Sequence, residues 1–378
     1  MKVLSRGRKK CKICGEEGPL ISELLGVCIK CLREMPEESL RITFRAHKLS
    51  RERYGLPPEP PKSPNGIECG LCANRCRIGE GEYGFCGLVK NEKGKLVRYA
   101  GTPERGLLKW YYDALPTNCV AEWVCPGCTG RGYPQYAYLP KAEVGYYNLA
   151  VFYGACNLDC LFCQNWHYRE LAKSLSPLMS AKELAGKVHD KVSCVCFFGG
   201  DPSPQMPHAL ASSKIMREKA DNRILRICWE TNGIMNKELL KEAVELSLES
   251  GGCIKFDVKA WDRNIYKALT GVDNKPVFEN IKLAAKRLSE RDEPPLIIIS
   301  TLLVPGYVDE EEVRQIARFI ADIDPNIPYS LLAFHPEYLM IDLPPTSRRH
   351  ALRCLEAARE EGLKNVIIGN IWLLGDYY

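Results

Sequence analysis

Three cysteines near the middle of the chain have a spacing that is typical of metal ligands. Cys156, Cys160 and Cys163 lie in the stretch GACNLDCLFC, directly after the apolar run 148–153. Three thiolates can hold three irons of a 4Fe–4S cluster and leave the fourth iron open. An open iron can chelate the amine and carboxylate of S-adenosylmethionine (SAM), and an electron from the reduced cluster then breaks the sulfonium C–S bond to release methionine and a 5′-deoxyadenosyl radical. On spacing alone, a zinc knuckle with a distant fourth ligand is the alternative.

Cysteine is unusually frequent in this chain, with 19 of 378 residues. The chain is not a small domain, and its first ten residues contain no apolar segment of the kind that directs secretion. An odd number of cysteines also cannot be used up by disulfides alone. Metal ligation is therefore the better explanation, and 14 of the cysteines fall into four clusters before residue 164.

The overall composition argues against several other classes of protein. The net charge of +5 is too small to indicate nucleic acid binding. No apolar run approaches the roughly 18 residues of a membrane span, so no membrane contact is expected. A hydrophobic fraction of 46% is enough for a substantial core.

The cysteine clusters predict four regions. Residues 1–40 form a zinc-ribbon-like module with two Cys-x2-Cys pairs, and residues 41–64 a helix followed by a proline-rich linker. Residues 65–145 are rich in Cys, Gly, Tyr and Pro, and we expect bound metal to stabilise them. Residues 146–378 form the main domain.

Eleven cysteines outside the central motif are predicted to bind metal. The first set is a tetrahedral zinc site, and the second holds either zinc or an iron–sulfur cluster. The third set fits a second iron–sulfur cluster with an open iron, a metal completed by another residue, or three reduced thiols in a turn. The sets are Cys11, Cys14, Cys28 and Cys31; then Cys69, Cys72, Cys76 and Cys86; then Cys119, Cys125 and Cys128.

In the main domain, apolar runs alternate with helical segments, which predicts an α/β fold with a parallel sheet and right-handed crossovers. One segment, 309–323, has Asp309 as a candidate N-cap and an apolar face. The sheet would be an open barrel of the (β/α)6 kind, with its chemistry at the carboxyl ends of the strands. The predicted strands are 148–153, 193–198, 224–229, 253–258, 296–303 and 329–334.

The chain resembles the radical-SAM superfamily, and more closely the subgroup of pyruvate formate-lyase activating enzyme-like and AmmeMemoRadiSam proteins. The resemblance covers about residues 66–374. It rests on ECGLCANRCRIGEGEYGFCGL, GACNLDCLFCQNW, FFGGDPSPQ, ETNG, FDVKAWD, LLVPGY, AFHPEY and GLKNVIIGN. It implies a partial (β/α)6 TIM-like radical-SAM barrel that binds a 4Fe–4S cluster and SAM.

The resemblance also implies roles for residues at two successive strand ends. Gly199, Gly200 and Asp201 match a motif whose backbone and acidic side chain meet the methionyl amine of SAM, with Asp replacing Glu. Glu230 and Thr231 match an ETNG stretch near the cofactor. A strand-to-helix turn and an ordinary Asn-Gly turn are the structural alternatives.

Four further residues match the family in the same way. Lys259 would reach the SAM carboxylate or ribose, and Asp257 would lie near a monovalent cation. His335 would lie against the methionine part of SAM, and Phe162 would stack on adenine. Without the resemblance, a buried ion pair, a structural histidine and a core aromatic are the alternatives.

The implied function is that of a radical-SAM oxidoreductase that cleaves SAM and abstracts hydrogen from a protein or peptide, as in glycyl-radical activation. Cys156, Cys160, Cys163 and Lys259 would be its catalytic residues. The implied electron donor is flavodoxin- or ferredoxin-like, and an oxygen-sensitive cluster implies a cytoplasmic location. The alternatives are cobalamin-assisted methyl transfer and a non-catalytic, zinc-stabilised scaffold.

Overall fold

The computed structural model describes residues 9–378, so the first eight residues of the predicted 1–40 module lie outside it. The strands are β1 (Lys9–Lys10), β2 (Glu17–Gly18), β3 (Ile67–Glu68), β4 (Arg77–Ile78), β5 (Val89–Glu92), β6 (Lys95–Arg98), β7 (Gly106–Ala114), β8 (Tyr147–Tyr153), β9 (Leu178–Met179), β10 (Val192–Gly199), β11 (Arg226–Thr231), β12 (Ile254–Asp257), β13 (Ile297–Leu303), β14 (Tyr329–Ala333) and β15 (Val366–Gly369). The helices are α1 (Ile29–Glu34), α2 (Pro36–Glu52), α3 (Pro126–Thr129), α4 (Tyr168–Ser174), α5 (Ala181–Ala185), α6 (Met206–Ala220), α7 (Lys237–Ser250), α8 (Arg263–Thr270), α9 (Lys275–Ala285), α10 (Glu310–Ala321) and α11 (Arg348–Glu360).

The main sheet has nine strands in the order β15-β14-β13-β12-β11-β10-β8-β7-β9. The seven strands from β15 to β8 in this order all pair in parallel with their neighbours in this set, and helices connect them along the chain. The six predicted strands correspond to β8 and β10 to β14, so the predicted α/β class is confirmed. The sheet gains a seventh parallel strand, β15, and antiparallel β7 and β9 at the other edge.

The parallel strands curve into a partial barrel. Phe198, Glu230, Asp257, Ser300 and Leu332 belong to five successive strands of the sheet order and line the same cleft. Side chains from five neighbouring strands can reach one cavity only if the sheet is concave towards it. The two ends of the sheet, β15 and β9, are not paired with each other, so the barrel is open.

Local sequence explains the central elements. All seven residues of β13, with the sequence IIISTLL, are buried, as expected for a parallel strand covered on both faces. The helix predicted at 309–323 is confirmed as α10, and the Asp309 side chain accepts a hydrogen bond from the Glu312 backbone N–H at 3.0 Å. Val313 and Ile316 on its inner face are fully buried.

The region 65–145 contributes directly to the main sheet. Strand β7 pairs with β8 over seven residue pairs, from Leu108 with Tyr153 to Ala114 with Tyr147. The two hairpins β3-β4 and β5-β6 precede it. The boundary predicted at residue 146 therefore falls between two paired strands.

The N-terminal module packs against the barrel. The Tyr307 hydroxyl accepts from the backbone N–H of Ser22 at 2.9 Å and donates to the carbonyl of Val27 at 2.9 Å. Arg33 makes a two-pronged ion pair with Asp309, at 3.0 and 2.9 Å. The module and the start of α10 are thus held together by buried and half-buried polar contacts.

The segment between β7 and β8 is anchored by a buried ion pair. Glu143 accepts from Arg226 at 2.9 and 2.7 Å and from the hydroxyl of Ser193 at 2.6 Å. Burial alone would raise the pKa of Glu143, but Arg226 and Ser193 lower it below its usual value. Within residues 9–378, no helix combines the length and apolar character needed to cross a bilayer.

We expect Glu143→Gln to lower the free energy of unfolding by about 3 kcal/mol, because it leaves the Arg226 guanidinium buried without a counter-charge. Urea unfolding at pH 7 measures this loss. The carboxylate contributes stability above the ordinary glutamate pKa of about 4.3, so the difference from the natural chain should shrink as the pH falls below that value.

The matched control is Glu293→Gln. Glu293 pairs with Arg131 at 2.7 Å, but both side chains are about half exposed. We expect a change below about 0.5 kcal/mol for this variant. Equal losses for the two variants would contradict the anchoring role of Glu143.

Candidate active site at the carboxyl ends of the strands

A cleft of about 170 Å³ lies at the carboxyl ends of the parallel strands. Its wall contains eleven of the twelve residues predicted for the cluster and SAM site. They are Cys156, Cys160, Phe162, Cys163, Gly199, Gly200, Asp201, Glu230, Thr231, Asp257 and Lys259. The structure thus brings together motifs that are spread over about a hundred residues of sequence.

The twelfth residue, His335, lies elsewhere. Its side chain is 48% exposed, and its Nδ1 lies 3.3 Å from Oε1 of Glu337. The preceding residue, Phe334, is fully buried and packs edge-to-face with Phe162 at 6.4 Å. The role predicted for His335 against methionine therefore has no geometric support here and stays a prediction.

The three motif cysteines present buried or half-buried thiols to the cleft. The Leu158 backbone N–H donates to Cys156 Sγ at 3.3 Å, and the Asn232 amide donates to the same sulfur at 3.7 Å. Burial raises the pKa of the Cys160 thiol to about 12 and that of Cys156 well above its usual value. The free thiols are therefore neutral, and a bound metal would displace their protons.

The sulfur positions differ between the cysteine sets. Within residues 9–378, one group of Cys, His, Asp or Glu side chains has three or more ligand atoms within 4.8 Å of one another. It consists of Cys11, Cys14, Cys28 and Cys31. Two sulfur pairs there, Cys11–Cys31 and Cys14–Cys28, are 3.7 Å apart. Tetrahedral zinc with Zn–S bonds of about 2.3 Å places its sulfurs about 3.8 Å apart. The predicted convergence of the first four cysteines is confirmed, and the motif cysteines are spread more widely.

The cluster loop, which we define as residues 154–163, is fixed by the carboxylate of Asp159. Asp159 is fully buried. It accepts from Ser50 Oγ at 2.7 Å and from Arg169 at 2.5 Å, and it lies 2.9 Å from Nδ1 of His47. The loop is thereby tied to helix α2 on one side and to helix α4 on the other.

A second arginine completes this network. Arg51 lies 3.9 Å from Asp159, and its guanidinium stacks 3.6 Å above the ring of Phe85. Although burial alone would raise the pKa of Asp159, Arg169, His47 and Arg51 hold it well below its usual range. Asp159 is therefore a permanent anion inside the cluster motif.

Two glycines let the end of β10 approach the cluster loop. A Cβ on Gly200 would lie 2.1 Å from the carbonyl oxygen of Ala155. Gly199 has φ +107°, and a Cβ there would lie 2.6 Å from the backbone nitrogen of Tyr153. Side chains at these positions would push the β10 loop away from the cysteines, so both glycines are required by close packing.

Asp201 joins two of the predicted cofactor loops. Its carboxylate accepts from the backbone N–H groups of Ser203 at 2.8 Å and Asn232 at 2.7 Å. The Thr231 hydroxyl lies 3.2 Å from both of its oxygens. Burial raises the pKa of Asp201, and these hydrogen bonds offset part of that rise. Most of its acceptor capacity is thus used to hold the β10 and β11 loops together.

Lys259 and Asp257 form an ion pair on the opposite wall. Burial alone would lower the pKa of Lys259, but the carboxylate of Asp257 raises it. The ammonium also lies 5.9 Å above the ring of Phe162. One carboxylate oxygen, Oδ1 of Asp257, is buried and has no hydrogen-bond partner in the described chain, so it remains available to a ligand.

Lys255 is a site residue that the sequence analysis did not identify. Its Nζ lies 2.8 Å from Oε1 of Glu230, and both side chains reach the cleft. Lys255 precedes Asp257 by two residues on β12, so the two share a face. That alternation was the signal that could have revealed Lys255.

The second predicted cysteine set lies behind the cluster loop. Its members Cys69, Cys72, Cys76 and Cys86 line one small cavity of about 10 Å³. The Asn74 side chain donates to the carbonyl of Asn157 in the cluster loop at 2.7 Å. The structure therefore brings these four thiols together and fastens their loop to the candidate active site.

The three cysteines of the third predicted set do not all line the same cavity. Cys119 and Cys125 line a separate cavity within the barrel, and Cys119 Sγ lies 3.3 Å from Oε1 of Glu230. Cys128 lies nearby, with its sulfur 3.9 Å from the carbonyl of Thr117. Cys119 and Cys125 therefore face the cavity within the barrel, and Cys128 does not line it.

Comparison with known proteins gives a domain match. The sequence model of the Radical SAM superfamily matches residues 150–320. The chain is 29% identical over 317 residues to an uncharacterized protein of Methanocaldococcus jannaschii, covering 81% of this chain and 82% of that protein.

Two further matches are more limited in extent. The chain is 32% identical over 139 residues to an isethionate sulfite-lyase activating enzyme of Oleidesulfovibrio alaskensis, which is 36% of this chain and 40% of that enzyme. A solved domain of a pyruvate-formate lyase-activating enzyme from Bacteroides vulgatus matches with a TM-score of 0.38 and 22% identity, covering 47% of this chain and 98% of that domain.

We expect Asp159→Asn to lower the free energy of unfolding by about 3 kcal/mol, since it leaves two buried arginines without their anion. Asp190→Asn is the control, because Asp190 is 95% exposed in its contact with Arg223 at 3.4 Å. We expect this control to change stability by less than about 0.5 kcal/mol.

The pH dependence gives a second readout for Asp159. A lowered native pKa means that its contribution is complete above the ordinary aspartate value of about 3.9 and is lost as the pH falls below it. The difference between Asp159→Asn and the natural chain should therefore shrink from pH 6 to pH 3 in urea unfolding. A difference that stays constant over this range would contradict the assignment.

Proposed function

Since residues 150–320 form a radical SAM domain, we propose that this chain cleaves SAM reductively at a 4Fe–4S cluster and abstracts hydrogen from a protein or peptide substrate. Cys156, Cys160 and Cys163 would hold the cluster. The observation that carries this proposal is that the cleft wall contains three cysteines and no fourth one among its lining residues.

The thiol geometry fits a cluster better than a zinc ion. A single zinc draws its thiolates to within about 3.8 Å of one another. The three motif sulfurs do not form such a compact group, whereas the ribbon cysteines do. A cubane spreads its cysteine ligands further apart, because several irons lie between them. This favours the cluster over the zinc knuckle.

When bound, the cluster would supply the electron that splits the sulfonium bond of SAM into methionine and a 5′-deoxyadenosyl radical. The chain itself would bind and orient SAM. The unpartnered Oδ1 of Asp257 offers an acceptor to a ribose hydroxyl or a monovalent cation. The Lys259 ammonium offers a donor to a carboxylate, and Phe162 offers a ring face at the same wall.

The chain would also keep water and other reactants away from the radical. Leu158, Phe198, Leu302 and Leu332 lie on the cleft wall beside the polar groups. An apolar wall offers few polar groups to hold water near the adenosyl carbon.

A protein substrate is supported by the name of one relative, an isethionate sulfite-lyase activating enzyme. This chain covers 40% of that relative, so its substrate is carried over here only as a proposal. We propose glycyl-radical activation or a related protein modification, with electrons supplied by a flavodoxin- or ferredoxin-like donor. Zinc in the ribbon is supported by its 3.7 Å sulfur spacing.

The first test is SAM cleavage. We expect the anaerobically reconstituted chain to form 5′-deoxyadenosine from SAM with dithionite. The triple variant C156A/C160A/C163A should fall to the level measured without protein, because the thiolates that hold the cluster are gone. The control is Cys354→Ser, a buried cysteine on α11 outside the cleft. Undiminished turnover in the triple variant would refute the assigned ligands.

The second test identifies the substrate class. We expect deuterium to appear in 5′-deoxyadenosine when the chain is incubated with SAM and a glycyl-radical enzyme deuterated at its glycine α-carbons. The same enzyme without deuterium is the control, and mass spectrometry measures the transfer. Transfer of the SAM methyl group without deuterium uptake would favour the methyltransferase alternative instead.

A further inference from the structure

A second cavity, of about 100 Å³, lies inside the barrel beneath the proposed SAM cleft. Six of its 17 lining residues are cysteines, although cysteine makes up only 19 of 378 residues, so about one would be expected. We call these six the luminal cysteines. They are Cys119, Cys125, Cys194, Cys196, Cys228 and Cys253.

Strand register brings four of them together. Cys194 and Cys196 are two residues apart on β10, so their side chains point to the same face of the sheet. Cys196 is the register partner of Cys228 on β11. Cys253 lies directly before β12, and its sulfur is 3.9 Å from that of Cys228. These residues are separated by up to about 60 positions in sequence, and the parallel pairing places them on adjacent strands.

The other two luminal cysteines, Cys119 and Cys125, lie in the segment between β7 and β8. The loop is anchored on β14, where the indole N–H of Trp123 donates to Ser330 Oγ at 3.1 Å and Ser330 donates to the carbonyl of Val120 at 3.0 Å. It places Cys119 Sγ 3.1 Å from Nζ of Lys255. An anchored loop thus adds two thiols to the cysteines of β10, β11 and the start of β12.

The surroundings of these thiols are charged. Lys255 is only 4% exposed, and its ammonium lies 3.1 Å from the sulfurs of both Cys119 and Cys196. Its one carboxylate partner is Glu230, at 2.8 Å. Cysteines that only fill space usually lie among apolar groups. An ammonium aimed at two sulfurs instead fits an anionic thiolate cluster, whose charge it would offset.

The distances between the luminal sulfurs exclude a site for a single zinc ion. Within the described chain, no three luminal sulfurs lie within 4.8 Å of one another, unlike the ribbon cysteines. One zinc ion would need sulfurs about 3.8 Å apart. The thiols instead surround a wider space, as the ligands of a multi-iron cluster do.

We propose that the luminal cysteines bind an auxiliary iron–sulfur cluster in the barrel interior, distinct from the one assigned to Cys156, Cys160 and Cys163. Phe198, Glu230 and Lys255 line both cavities, so the cluster lies one layer of side chains below the SAM cleft. This site does not depend on the proposed substrate. It keeps Cys119 and Cys125 of the third predicted set, leaves out Cys128, and adds Cys194, Cys196, Cys228 and Cys253.

The test compares iron content in full-length chains reconstituted anaerobically with ferrous iron and sulfide. We expect C119S/C196S/C228S to lose about two to four irons per chain relative to the natural sequence, according to the cluster type. Cys354→Ser, which removes a buried thiol outside the cavity, should keep its full iron content. Equal iron in all three proteins would overturn the proposal.

Zinc content and circular dichroism show whether the triple variant folds. If it does not fold, iron-edge anomalous scattering from crystals of the reconstituted natural chain decides the question. We expect an iron peak between Cys119, Cys196 and Cys228. A cavity without iron, zinc in its place, or a Cys228–Cys253 disulfide in the reduced protein would each overturn the proposal. None of these readouts uses SAM turnover, so they separate this site from the proposed activity.

Discussion

The carboxylate of Asp159 is the group on which the cluster loop most depends. It lies inside the cysteine motif, is fully buried, and is held by side chains from α2 and α4. A buried anion with two arginine partners is rigid only while every partner stays in place. Arg51 also stacks on Phe85, beside Cys86. The positions of two cysteine sets are therefore linked through one charge.

Close backbone approach is the second constraint on the site. The backbone N–H of Gly200 donates to the Tyr153 carbonyl at 2.9 Å, and that of Asp201 donates to the Ala155 carbonyl at 2.8 Å. These bonds continue the β8–β10 pairing into the loops. Asp201 then carries the connection on to Asn232 of the β11 loop. The cleft wall is thus a hydrogen-bonded extension of the sheet, which explains how loop residues can hold fixed positions.

The sequence predicts the six central strands and eleven cleft residues because each strand is an apolar run followed by a polar end. It does not reveal Asp159, since its partners lie on helices outside the motif. The antiparallel strand β7 is not predicted because its sequence, GLLKWYYDA, mixes aromatic and charged residues. The sequence does not group Cys194, Cys196, Cys228 and Cys253, because parallel register cannot be read from one strand alone. Long-range pairing, rather than local pattern, is what a single sequence conceals.

The ion pair between Lys255 and Glu230 lies between the cleft at the strand ends and the luminal cavity, and both residues line both spaces. At 2.8 Å and in a poorly solvated interior, each charge responds strongly to any third charge that is brought near. A thiolate at Cys119 would attract the Lys255 ammonium towards the luminal cavity. A cation beside Asp257 would attract the Glu230 carboxylate towards the other cavity. The two cavities therefore share both charges of this ion pair.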